Sequence, residues 1–177
     1  MSYVIVMVGL PGSGKSYLID KLVSGGTESW FTYSTDAYIE AQAELLGSTY
    51  TEVFEHYIGE ATDYLNNALR VAIAKGQNVL WDQPNMNTKK RRWITSQFPA
   101  SYYKQCFVLA PPSHTRDWDL LYARIGARVG KSIPGYVLDS MLATYTEPTL
   151  DEGFSHIHIH SIRGGLLKRI PEDTITK

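Results

Sequence analysis

Cysteine is almost missing: Cys106 stands alone among 177 residues, so no intramolecular disulfide can staple the chain, which fits a reducing compartment. Excess charge is missing too. The formal balance is −1, from 17 Lys and Arg against 18 Asp and Glu, which excludes a global attraction to nucleic acid or an anionic membrane; any polyanion site must be a local patch. Long apolar runs are also absent. The stretch Tyr3-Val4-Ile5-Val6-Met7-Val8 is too short to span a bilayer and has no basic leader, so it reads as a buried strand. The expectation is a cytoplasmic protein with no membrane partner. There are no linkers, low-complexity segments or internal repeats, so residues 1–177 read as one domain. Nothing in the sequence sets the oligomeric state.

What the chain does have follows that apolar run directly. Gly9-Leu10-Pro11-Gly12-Ser13-Gly14-Lys15-Ser16 has the G-x-x-x-x-G-K-S spacing of a P-loop (Walker A). In such a turn, backbone N–H groups wrap phosphate oxygens at a helix N-terminus. Gly12 and Gly14 let the backbone come close, Lys15 sets a cation against the β- and γ-oxygens, and Ser16 offers a hydroxyl to Mg²⁺. The context agrees, with a buried strand before the loop and an amphipathic helix, Lys15 to Val23, after it. That helix closes at Ser24-Gly25-Gly26.

Strands and helices then alternate. Short apolar strands are expected at Trp30–Tyr33, Asn78–Trp81 and Tyr103–Leu109, and helices at Ala37–Leu46 and Thr51–Lys75. The strict alternation of His156–Ile162 predicts an edge strand. Such an order implies an α/β fold of the P-loop kinase kind, a mainly parallel sheet with helices on both faces. A helical lid is expected over about residues 113–135.

The motif alone leaves the phosphate acceptor open. A GTPase needs N-K-x-D and D-x-x-G segments, which Asn87-Thr88-Lys89-Lys90 and Asp82-Gln83-Pro84-Asn85 do not match. An AAA+ motor needs more chain. Open α/β sheets bind ligands at the carboxyl ends of their strands, where Asp36 and Asp82 fall. Asp82 has the Walker B position, although it also reads as a turn residue before Pro84, and Asp36 also reads as the N-cap of a helix starting at Ala37. A helical segment from Ser113 carries Arg124 and Arg128 four apart, either as a cleft pair or as a solvated face. Lys89-Lys90-Arg91-Arg92 reads as a solvated face. Trp93, Tyr102 and Tyr103 read as core, or as surfaces on which bases stack.

These residues resemble the 5′-kinase domain of phage-type polynucleotide kinases and the wider group of small P-loop kinases that includes the phage 5-hydroxymethyluracil DNA kinases. The resemblance runs from Val4 to Met141. It rests on Gly9–Ser16, on Ser34-Thr35-Asp36-Ala37-Tyr38, on Asp82 with Asn85-x-Asn87, and on Arg124-x-x-x-Arg128 leading to Lys131-x-x-Pro134 and Val137-Leu138-x-Ser140-Met141. It implies an ATP-binding set of Gly9, Pro11, Gly12, Ser13, Gly14, Lys15, Ser16, Tyr17 and Arg124, and an acceptor set of Asp36, Tyr38, Asp82, Asn85, Asn87 and Lys131. It implies Mg²⁺ on Ser16 and Asp82. Lys15, Asp36, Arg124 and Arg128 become the catalytic residues, with Asp36 as general base and Arg128 meeting the transferring phosphoryl. One position departs: those kinases have an arginine in the acceptor channel where this chain has Ile39.

Three readings follow. The first is a kinase acting on a nucleic-acid hydroxyl, either a 5′-OH or a hydroxymethyl group on a modified base. The second is a kinase for a small metabolite or nucleoside, and the third a nucleotide-binding interaction module. His156, His158 and His160 share one strand face, but Asp151 and Glu152 lie off that strand, so the trio reads as polar surface and not as a metal site.

Overall fold

The computed structural model describes residues 1–24 and 29–171. Gly25 and Gly26 of the first helix's stop signal lie outside these. In chain order the elements are β1 (Ser2–Val8), α1 (Lys15–Val23), β2 (Trp30–Tyr33), α2 (Thr35–Leu46), α3 (Tyr50–Ala74), β3 (Asn78–Trp81), α4 (Thr88–Ser96), β4 (Tyr102–Leu109), α5 (Thr115–Gly126), α6 (Gly135–Ala143), a 3₁₀ turn (Leu150–Glu152), β5 (His156–His160) and β6 (Leu166–Ile170).

The apolar run after residue 1 is buried on both sides, which is why it shows no alternation. Val4, Val6 and Val8 point into a core shared with Leu65 and Leu69 of α3, Ile94 of α4, Leu121 of α5 and Leu138 of α6. Ile5 and Met7 face the other way, with Leu80, Phe107 and Leu109, beneath Leu18 of α1. The sheet order is β2-β3-β1-β4-β5-β6. The first five strands in that order are parallel, so the expected α/β kinase fold with helices on both faces is what forms. Val6 and Tyr33 both pair with Trp81, so the chain leaves β1, β2 and β3 at one level of one sheet edge. Gly9, Ser34–Asp36 and Asp82 thereby converge. Cys106 is buried in β4, and burial pushes its thiol far above the ordinary range, so it stays protonated.

Beside this layer α2 and α3 pack on each other through Ile39, Ala43, Val53 and Ala61. Thr49 and Glu52 start α3 with a reciprocal capping box, Thr49 N–H donating to Glu52 Oε2 at 2.7 Å. Ile39, the residue at the departure from the polynucleotide kinases, is buried in this pairing.

Several expectations are corrected. β5 is not an edge strand and ends at His160; β6 pairs with it antiparallel and forms the edge. Leu166 and Leu167 are both at least half exposed, so β6 carries no alternating pattern to betray it. Ser34, not Asp36, caps α2, its hydroxyl accepting from Ala37 N–H at 3.3 Å. Helix α5 stops at Gly126, so Arg128 sits in the turn beyond it and shares no helical face with Arg124. Tyr102 is core, Tyr103 packs on Tyr3 and His156, and Trp93 lies against Trp81 beneath Lys90; none of them lines the cleft described below. His158 stacks on Phe107, and His160 lies beside the carbonyl of Gly164.

The basic run of α4 is not a uniform solvated face either. Arg91 is fully buried and forms a bidentate pair with Glu152, Nε to Oε2 at 2.7 Å and Nη2 to Oε1 at 2.8 Å. Its Nη1 donates to the carbonyls of Met86 at 2.8 Å and Asn85 at 3.1 Å. The loop following Asp82 is thus pinned from inside. Removing either partner leaves an uncompensated buried charge, so Arg91→Met or Glu152→Gln should lower stability by about 3–5 kcal/mol. Urea unfolding checks this, and the double replacement Arg91→Met with Glu152→Gln should cost less than the sum of the two singles.

Candidate functional site

The P-loop fits because its glycines take conformations closed to other residues. Gly12 and Gly14 have φ of 78° and 103°. A Cβ on Gly12 would lie 2.8 Å from Ile125 Cγ1, so the loop is packed directly on α5. Gly9 N–H donates to Pro84 O at 3.0 Å and Ser13 N–H to Leu10 O at 3.1 Å, which closes the turn. Arg124 of α5 reaches back with Nη1, donating to Ile162 O at 3.0 Å, Ser13 O at 3.3 Å and Gly12 O at 3.4 Å. This one guanidinium joins α5, the phosphate loop and the β5–β6 connection.

Lys15 donates from Nζ to the carbonyls of Gly9 and Leu10, each at 3.0 Å. Burial pulls its pKa down to about 8 against the favourable charges of Asp82 and Asp36. Burial also raises Asp82, and the neighbouring Lys15 ammonium only partly offsets it. Ser16, Lys15, Asp82 and Asp36 all line one cleft of about 600 Å³, together with Pro11, Gly12, Gly14, Arg124, Arg128 and Lys131. Arg128 donates its backbone N–H to Ile125 O at 3.2 Å, while its guanidinium makes no hydrogen bond or ion pair among the described residues.

Other expected site residues lie elsewhere. Asn85 is buried at φ 46° and donates from Nδ2 to Met7 O at 2.8 Å and Gln83 O at 3.0 Å, so it shapes the loop after β3. Asn87 caps α4, accepting from Lys90 N–H at 2.8 Å. Tyr38 donates to Glu60 Oε1 at 2.6 Å on the outer side of α2. Gly9 and Ser13 are buried behind the loop surface. Tyr17 is exposed on α1 with Lys21 over its ring, beside Gly164 and outside the cleft lining.

The cleft also contains residues that motif reading missed. Glu40 lies four positions after Asp36 on α2, a helical spacing that would have found it. Tyr50 and Gln83 depend on tertiary placement. Tyr50 Oη donates to Asp36 Oδ1 at 2.7 Å, and Lys131 Nζ donates to Asp36 Oδ2 at 2.6 Å and Glu40 Oε1 at 2.9 Å. Gln83 Nε2 donates to Thr35 Oγ1 at 3.1 Å, tying the β3 exit to the start of α2.

A family model described as an AAA domain matches residues 4–148. The chain belongs to that family. What the family match and the solved structures have in common is the kinase-like P-loop fold. A structure from the PezAT toxin–antitoxin system of Streptococcus pneumoniae superposes with a TM-score of 0.61 at 16% identity, over 98% of this chain and 73% of that one. A sugar kinase from Janibacter superposes at 0.57 and 16% identity, over 92% and 87%. The Pnkp1/Rnl/Hen1 complex gives 0.53 at 16% identity, over 76% of this chain and 42% of that one. Resemblance to P-loop kinases therefore holds at the level of fold. No helix among the described residues is long and apolar enough to cross a membrane.

The fold family implies ATP and Mg²⁺, and the residues present fit both. The positive-φ glycines Gly12 and Gly14 form a cradle on the cleft wall, and behind it Ser13 Oγ is buried without a hydrogen-bond partner among the described residues. No cluster of three or more acidic, histidine or cysteine side chains among the described residues could hold a metal ion alone. Ser16 and Asp82, both on the cleft lining, would be the protein oxygens available to Mg²⁺, which needs only one or two when phosphates complete its shell.

Asp36 gives a test by titration. Burial pushes its carboxyl up, but the hydrogen bond and charge of Lys131, with the Tyr50 hydroxyl, outweigh this and hold it below the ordinary carboxylate value. A depressed folded value means that the unfolded chain binds more protons; the resulting stability is present above the ordinary value and is lost as pH falls through the folded one. The wild type should therefore exceed Asp36→Asn in stability at pH 7. Urea titrations repeated down to about pH 3 should show the gap closing.

Proposed function

We propose that this chain is an ATP-dependent phosphotransferase whose acceptor is a small, uncharged hydroxyl compound. The observation that carries the acceptor class is the charge of the wall opposite the P-loop. Asp36 and Glu40 face the cleft from α2, and the cation between them, Lys131, is bound to both, leaving one net negative charge. A phosphate beside the reacting hydroxyl would meet that charge, at a cost of order 2–3 kcal/mol for roughly 6 Å and an effective dielectric near 20. The basic run of α4 does not form one patch for a polynucleotide: Arg91 is buried, Arg92 pairs with Asp151 and Lys90 lies over Trp93. Shared fold with a sugar kinase is consistent with a small acceptor, though fold alone does not choose it.

The chemistry assigned to the residues is in-line transfer. Bound Mg²⁺ on Ser16 and Asp82 would neutralise β- and γ-phosphate charge. Lys15 and Arg128 stabilise charge as the bond from the γ-phosphorus to the bridging oxygen breaks, its electron pair leaving with ADP. The acceptor oxygen forms the new bond to phosphorus, and its proton passes to Asp36. Arg124 holds the loop and lid helix in register around this centre.

Labelled γ-phosphate transfer from ATP decides the acceptor, scored in parallel on neutral polyols and nucleosides, 5′-OH oligonucleotides and hydroxymethyluracil duplex. Transfer to a neutral small compound, little affected by salt, is expected; oligonucleotide acceptance that falls steeply with ionic strength would move the assignment to nucleic acid. On the accepted compound, Asp36→Asn should cost about 10²-fold or more in turnover, the usual scale for a general base. Arg128→Lys keeps the charge but loses the planar fork, so it should depress turnover more than ATP affinity.

A further inference from the structure

We propose that Lys131 is a positioning residue and not a substrate ligand: an ion-pair latch, anchored by Glu40 as well as Asp36, that fastens the lid turn to the acceptor wall. What the latch serves rests on the phosphotransferase reading; the latch itself is a matter of geometry.

An ammonium has three donors. Those of Lys131 meet Asp36 Oδ2 at 2.6 Å, Glu40 Oε1 at 2.9 Å and the face of Tyr50, whose ring centroid is 3.9 Å away. The side chain is only 7% exposed, so no donor remains to greet a ligand. The partners come from α2 and α3, while Lys131 comes from the turn between α5 and α6. Two consecutive helices and a turn more than 90 residues after Asp36 and Glu40 are joined at one nitrogen.

The backbone on either side of Lys131 is seated on the first turn of α3. Thr51 N–H donates to Gly130 O at 3.3 Å, and Ser132 N–H donates to Thr51 Oγ1 at 3.1 Å. Gly130 has φ 72°, and a Cβ there would come within 3.3 Å of Thr49 Cβ, so the turn has one seat and needs glycine to fill it. Immediately upstream the chain lifts away: Val129 is fully exposed and Arg128 extends along the cleft. A fixed foot at 130–132 therefore sets where Arg128 starts.

The same latch orients the base. Asp36 accepts one bond on each oxygen, from Tyr50 and from Lys131, which fixes the carboxylate plane and leaves a lone pair on each oxygen for an acceptor hydroxyl. Burial and the charge of Asp36 push the Tyr50 phenol far up, so it remains a donor. Glu40 reaches this centre only through Lys131. Its role is to give the ammonium a second anchor, so that proton uptake at Asp36 does not release the lid.

Hydrogen exchange read by mass spectrometry on the nucleotide-free protein tests the latch without any assay of transfer. Lys131→Met should speed exchange by about tenfold or more in peptides covering 49–53 and 128–134, Glu40→Gln should do so to a smaller extent, and Lys131→Arg should recover most of the protection, with peptides from β1 and β4 unchanged. If Lys131→Met fails to fold, Glu40→Gln carries the test, since that carboxylate is more than half exposed. Wild-type exchange in both Glu40→Gln and Lys131→Met overturns the latch. Faster exchange with higher transfer overturns its positioning role, making the contact a block. Faster exchange in a protein whose wild type phosphorylates no acceptor upholds the latch and removes the phosphotransferase reading instead.

Discussion

The approach of the P-loop to α5 at Gly12 governs the rest of the site, because a backbone at φ 78° with Ile125 Cγ1 only 2.8 Å from where a Cβ would be leaves the phosphate loop and the lid helix packed as one body. Arg124, the residue before Ile125, adds hydrogen bonds to the same loop and to Ile162. Any rearrangement that preserves both this packing and the seat of residues 130–132 on α3 has to be taken up between them, at Arg128 and Val129.

Much of this was legible because it is local. An apolar run followed by glycines at fixed spacing declares the strand, the loop and the helix that form Lys15 and Ser16, and the ends of the next two apolar strands locate Asp36 and Asp82. What was not legible depends on distant partners. Arg91 looks like any member of a basic helix face until Glu152, 61 residues later, closes on it in the core. Asn85 and Asn87 carry a family motif yet serve a left-handed turn and a helix cap, roles that the same residue types fill wherever backbone needs a local acceptor or donor. Strand β6 is short, leaves its two leucines at least half exposed, and owes its existence to the free edge of β5.

The acceptor question shows the boundary between fold and function. A toxin–antitoxin component, a sugar kinase and a member of the Pnkp1/Rnl/Hen1 complex each share this scaffold at 16% identity, so the fold is common property. Discrimination has to reside in the few side chains that α2, α3 and the lid turn bring opposite the loop. There the chain places two carboxylates, a phenol, one saturated ammonium and the guanidinium of Arg128.

The burial of Cys106 reaches beyond stability. Its thiol is enclosed in β4 and held protonated, so it is a poor target for maleimide or iodoacetamide reagents. The native chain is consequently a silent background for site-specific labelling. Val129, wholly exposed at the cleft rim, is a natural position for a lone reactive thiol, and Val129→Cys would let a spectroscopic probe follow the lid turn in an otherwise unmodified protein.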